Sequence, residues 1–127
     1  MDYIVLAGRV LFAAIFVVAA PRHFSQEGIQ HAAELGVPMS WLLVPSSGAM
    51  SLIGGLSVVV GYHARLGAWL LVAFLVPVTF MMHPFWKVND PVLAHTQLAM
   101  FVKNLSMLGA ALLITQFGSG PLSLRAN

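Results

Sequence analysis

Two full positive charges sit inside stretches that otherwise have the length and apolarity of membrane spans. Four such stretches run along the 127-residue chain, at Ile4–Ala20, Leu42–Tyr62, Leu66–Met82 and Leu98–Phe117, with Arg9 inside the first and Lys103 inside the fourth. Each approaches the roughly 20 residues that a helix needs to cross a hydrocarbon core of about 30 Å. A cation at that depth costs at least ~2.5 kcal/mol on insertion scales, so it faces a bundle interior or reaches for the interface. The solvent of this chain is therefore a bilayer, with polar features held inside it.

Composition agrees. Hydrophobic residues make up 59% of the chain and charged residues 8%, against roughly 25% charged in a soluble domain. No segment outside the spans is long enough for a second domain, so residues 1–127 read as one integral membrane domain. Asp2 ahead of the first span and Arg9 within it argue against a cleaved leader, and the span is expected to remain as a helix. Six Lys/Arg against four Asp/Glu give a formal charge of +2, scattered without a basic run, which excludes nucleic acid as a partner. The chain has no cysteine, so a thiol relay, a cysteine-ligated iron–sulfur cluster and covalent haem attachment within it are excluded.

The connections have their own signals. Pro21 ends the first helix, and Ser25 has the chemistry of an N-cap. Phe24, Gly28, Ile29, Ala32, Ala33 and Leu35 then recur at helical spacing opposite Gln26, Glu27, Gln30, His31 and Glu34. This predicts a short amphipathic interfacial helix between spans one and two, closed by Gly36 and Pro38. The second span carries Pro45, Ser46, Ser47, Gly48, Ser51, Gly54, Gly55 and Ser57, a pattern for close helix packing rather than a ligand groove. Tyr62–Arg65 is a tight turn, Pro77 predicts a kink, Lys87–Gln97 reads as a polar connection, and Phe117–Arg125 as a rigid tail. The fold class expected is thus an all-α membrane protein, a four-transmembrane-helix bundle. Arg65, Arg125 and the amino terminus fall on one side, and Arg22 and Lys87 on the other beside Glu27, Glu34 and Asp90. That bias places both termini in the cytoplasm.

Particular residues also resemble a known family. Gly8–Arg9–Val10–Leu11, Gly36–Val37–Pro38, Leu52–Ile53–Gly54–Gly55–Leu56 with Gly61, His83–Pro84–Phe85–Trp86 with Asp90–Pro91, Phe101–Val102–Lys103–Asn104–Leu105 and Phe117–Leu124 occur in the order seen in the DoxX family. The resemblance implies a multi-pass protein of the bacterial inner membrane, linked to quinone-coupled oxidoreductases. One branch of the family supplies the membrane subunit of a thiosulfate:quinone oxidoreductase, and another accompanies oxidative-stress proteins. Many relatives resemble Glu-Leu-Leu-Gly-Gly-Leu in the second span, whereas Ser51 stands at the acidic position here. Their terminal Ser-Leu-Asp reads Ser123–Leu124–Arg125.

Arg9 and Ser51 are the intramembrane polar residues to explain, together with Lys103 and Asn104. Lys103 lies about two turns, roughly 9 Å, inside the fourth span. Each cation either snorkels or bonds to helix-terminal carbonyls. A sharper reading sets Lys103 and Asn104 beneath a ligand-binding pocket closed by His83, Phe85 and Trp86, where a quinone carbonyl, a lipid phosphate or an anion would suit such donors. No catalytic set and no metal set emerges: His23 and His31 could share a helical face but lack an acidic ligand, and His83 and His95 sit near the surface. The chain is read as a small integral subunit that docks on and stabilises a larger quinone-linked electron-transfer complex, with membrane lipids and other subunits as partners and no activity alone. The alternative is an oxidoreductase component with its own quinone pocket at Lys103, Asn104 and His83.

Overall fold

A computed structural model describes residues 1–124. Helix α1 covers Asp2–Ala19, and Pro21 turns its continuation into a 3-10 segment over Ala20–Phe24. The interfacial helix α2, Gln26–Glu34, follows, with Ser25 Oγ accepting from the Gly28 amide at 3.0 Å, as its N-cap chemistry predicts. Gly36, at φ +92°, then turns the chain into the next span. Helices α3 (Ser40–Val60), α4 (Ala64–Met82) and α5 (Pro91–Phe117) complete the chain, with a 3-10 turn at Phe85–Lys87. Four helical spans are long and apolar enough to cross a membrane. The protein is an all-α membrane protein.

The helices form a ladder: α1 packs on α3, α3 on α4, and α4 on α5. Two neighbouring glycines make α3 the centre of it. Gly54 faces α4, where a Cβ would lie 2.8 Å from the Gly67 carbonyl oxygen and 3.0 Å from Leu71. Gly55 faces α1, against Phe16 and Val17. Successive residues on a helix point about 100° apart, so one Gly-Gly pair opens two flanks to close approach. The hydroxyls of this helix are used locally or across the seam. Ser46 Oγ donates to the Leu42 carbonyl and Ser47 Oγ to the Val44 carbonyl, both at 2.7 Å, while Ser51 Oγ donates across to the Phe16 carbonyl at 3.0 Å. Ala13, Phe16, Val58, Leu71, Phe74, Leu75 and Ala111 form the buried core, while Leu11, Val18, Ile53, Leu66 and Leu113 remain exposed for lipid.

The fourth span differs from its sequence reading. It begins at Pro91 rather than Leu98, so most of the expected polar connection is helix. Asp90 caps it by accepting from the Val92 amide at 2.9 Å, and Pro91 occupies the first helical position, where a missing N–H costs nothing. His95, Thr96 and Gln97 are polar but compatible with a helix, which apolarity alone could not reveal. Lys103 therefore stands about 18 Å from the start of its helix at 1.5 Å per residue, not 9 Å.

Arg9 is only 5% exposed, and its guanidinium bonds to main-chain carbonyls. Its Nη1 donates to the carbonyls of Ser119 at 2.6 Å and Pro121 at 3.0 Å, and its Nη2 to that of Leu122 at 2.6 Å. These carbonyls belong to the tail beyond α5, which bends back under the bundle through Gly118 and Gly120, both at positive φ. The Leu124 amide then donates to the Val60 carbonyl at 3.0 Å. Gly61 completes the fit, since a Cβ there would collide with Ser123 and come 3.1 Å from Arg9 Nη1. Both ends of the described chain thus lie at one end of the bundle. Arg125, which entered the charge bias above, lies outside the described residues.

Removing the guanidinium strands three carbonyls whose bonds to a charged donor are each worth about 1.5–3 kcal/mol. Arg9→Met is expected to destabilise the protein by about 3–5 kcal/mol in thermal unfolding in detergent. It should also expose the tail after Phe117 to carboxypeptidase. Arg9→Lys should restore only part of the loss, because a point-like ammonium cannot spread over three acceptors as a planar fork does. Unchanged melting and an intact tail in Arg9→Met would refute this account.

Candidate functional site

At the end of the bundle away from Arg9, the bend at Pro21 and helix α2 roof a cavity of about 370 Å³. Val44, Ser47 and Met50 of α3 form one wall, and Phe74, Pro77, Val78 and Met81 of α4 another. His23 and His31 reach it from the roof and His83 from the exit of α4. The roof sits close because Gly48 has no side chain: a Cβ there would lie 2.5 Å from that of His23. The His23 ring packs edge-on to Phe74, with centroids 5.4 Å apart. A second cavity of about 130 Å³ lies between α1 and α5, lined by Ile15, Ala19, Ser51, Leu75, Lys103, Asn104 and Met107 among others. The two share Phe74, Val78 and His83 as common wall.

Two histidines are anchored through Nδ1. His23 Nδ1 lies 3.2 Å from Ser47 Oγ, and His83 Nδ1 lies 2.8 Å from Gln97 Oε1. The second bond ties the exit of α4 to the first turns of α5, and it depends on the early start of that helix.

The candidates named from sequence separate into groups. His83, Lys103 and Asn104 line the small cavity together, and Ser51 joins them there, its hydroxyl committed to Phe16. Phe85 and Trp86 line neither cavity. They pack edge-on against Phe101, at 5.3 and 5.9 Å between centroids, in a cluster that also holds Phe80. Arg9 belongs to the tail at the opposite end. Asn104 is buried, whereas Lys103 is exposed, with its Nζ 3.5 Å from Met100 Sδ.

Comparison with known proteins fits this architecture. A family model described as DoxX matches residues 4–84. The chain belongs to the DoxX family. The matched segment of this DoxX protein includes α1 through α4, and hence both walls of the larger cavity, but not α5. It is also similar to the inner membrane protein YphA of Escherichia coli (strain K12), with 27% identity over 123 residues that cover 95% of this chain and 87% of that one. No solved structure matches it.

His23, Ser47, Met50 and Pro77 were not singled out by sequence as parts of a site. From sequence, His23 reads only as a residue that could share a helical face with His31 and lacks an acidic ligand beside it. Ser47 sits in a run of small residues that reads as packing. One signal is Pro77, a proline within a span as Pro45 also is, since irregular backbone at membrane depth occurs where it is buried or lines a cavity.

Proposed function

We propose that this DoxX protein is a bacterial inner-membrane component that holds a small apolar ring compound of the quinone class in the cavity beneath α2. The supporting observation is the cavity itself: about 370 Å³, with largely apolar walls and a few convergent imidazoles. That is within the usual range of ligand sites, where apolar surface supplies affinity and a few polar groups fix orientation. Among the described residues no group of three or more His, Cys, Asp or Glu is placed to hold a metal. The small cavity beside Asn104 offers a continuation of the same site across His83.

Purified protein should bind a short-tailed quinone or its reduced form saturably in detergent. Ala73→Phe, which fills the cavity from α4, should weaken that binding at least tenfold, about 1.4 kcal/mol, with thermal unfolding little changed. Saturable binding that ignores the filling mutation would place the ligand elsewhere, and its absence would remove the reading.

A second reading, a subunit docking on a larger electron-transfer complex, is favoured by Lys103. Its exposed ammonium lies well inside α5, and the four acids of the chain, Asp2, Glu27, Glu34 and Asp90, all lie at or beyond the ends of the spans. An unmatched cation at such depth is costly, and a carboxylate on a partner helix would relieve it. Lys103→Met should release co-purifying subunits in mild detergent while leaving melting equal or higher. Retention of the same subunits by the variant would sink this reading, and turnover by the isolated chain would sink its corollary that the subunit has no activity alone.

The end of the bundle that carries Arg65 and the tail is assigned to the cytoplasm on the cation bias. A carboxy-terminal reporter should accordingly be active only in its cytoplasmic form. Activity of a periplasm-specific reporter at the same position would invert the orientation.

A further inference from the structure

Lys103 is a cation at mid-span with no acid of its own chain at that level. It stands about 18 Å from the start of α5 and about 21 Å from its end at 1.5 Å per residue. Its side chain is exposed, and its Nζ meets the Met100 sulfur at 3.5 Å, a weak acceptor. The cleft beside it is unclosed. Helices α1 and α5 are the two ends of the ladder and do not pack along one another. The small cavity of about 130 Å³ lies between them, with Ile15 and Ala19 on one side and Lys103, Asn104 and Met107 on the other. Ser51 and His83, also on its wall, have partners in Phe16 and Gln97. Asn104 is only 4% exposed, and its carboxamide makes no hydrogen bond among the described residues. A donor and an acceptor thus remain unspent beside the ammonium.

We infer that this cleft seats a transmembrane helix of another protein, which brings one Asp or Glu carboxylate to the level of Lys103 and Asn104. The inference rests on the docking reading above and adds the seat and the group that fills it. Depth selects a side chain over a lipid headgroup, whose phosphate lies about 15 Å away, at the edge of a hydrocarbon core of about 30 Å. Size points the same way. A space of about 130 Å³ is well under the roughly 300 Å³ at which sites for whole small ligands begin, and it suits the end of one side chain. A second copy of this chain cannot supply the group, because Asp2, Glu27, Glu34 and Asp90 all lie at or beyond the ends of the spans. The surface also lets a helix come close. Ala99, Ser106 and Ala110 share the stripe of Lys103 at helical spacing, and Ala99 and Ser106 are exposed. There the ammonium and a carboxamide N–H can both donate to one carboxylate.

The probe is a Leu/Ala transmembrane peptide of about 20 residues with one Glu at its midpoint, reconstituted with the protein in phosphatidylcholine vesicles. Energy transfer from the protein's tryptophans to a dansyl group on the peptide reads association. The Glu peptide should associate roughly tenfold more tightly than its Gln counterpart. Lys103→Met should abolish that preference, and Asn104→Leu should narrow it. Ser51→Glu, which offers the cavity a carboxylate from within, should abolish it in a protein that still folds. Equal association of the two peptides overturns the inference, as does a preference that survives Lys103→Met or a folded Ser51→Glu. Competition by decanoate would make the occupant a lipid-borne acid, and Lys103-dependent self-association of the protein would make it a second copy; either result overturns it. If the peptides associate alike while Lys103→Met still releases co-purifying subunits, the seat falls and the docking reading stands. If those subunits stay as well, both fall. Should the cavity variants fail to fold, the Glu and Gln peptides on the native protein decide alone.

Discussion

The guanidinium of Arg9 is the fixed point around which the rest of the bundle is arranged. A buried cation with no carboxylate nearby among the described residues is normally an expensive error in a membrane, where every polar group must find its partner inside the protein. Here the partners are three main-chain carbonyls from a tail that has no helical bonds of its own, and each side relieves most of the other's deficit, with Nε of Arg9, alone in the guanidinium, left without a partner among the described residues. The tail supplies oxygen that would otherwise want water, and the arginine supplies a planar fork wide enough to serve three acceptors. Gly61, Gly118 and Gly120 are the accessories of this contact. They let the chain turn back under the helices and come within reach of the first span.

With one end of the bundle tied so firmly, the other is free to be loosely filled. Phe12, Phe16, Phe74 and His23 run as edge-on aromatic contacts from α1 toward the roof. Beyond them, the walls part into the two cavities. The same economy of small residues serves both ends. Gly54 and Gly55 draw α4 and α1 onto α3 at mid-span, while Gly48 lets the roof settle over the larger cavity. The bundle is dense where the chain must be held, and open where a guest could be accommodated.

The spans, the interfacial helix with Ser25 as its cap and the turn after Val60 were legible in the sequence, because apolar period, capping chemistry and turn residues act locally. The early start of α5 was not, since Asp90–Pro91 is a helix start that precedes the apolar run by two turns. The bonding of Arg9 was legible only in kind. Its sequence announces a cation needing carbonyls, but which carbonyls depends on a tail more than one hundred residues away. For the cavities, the sequence marked His83, Lys103 and Asn104 as polar features of interest. It gave no access to His23 and Ser47, whose proximity is created by a bend at Pro21 and a missing side chain at Gly48. Conversely, the aromatic run Phe85–Trp86 suggests a wall, and the structure spends it on Phe101. An aromatic residue at a membrane exit has many uses, and sequence cannot rank them.

The separation of Arg9 from its acceptors has a temporal side. The first helix is made before the carbonyls that stabilise its charge, which follow Arg9 by 110 to 113 residues. Over that interval of synthesis, then, the chain carries an unmatched cation in α1, and assembly cannot be finished domain-fashion from the front. Only the arrival of Ser119–Leu122 locks the first helix into register with the rest. The tail acts as a completeness check: a chain cut short before it would retain all four spans and still lack the contact that commits them to one arrangement.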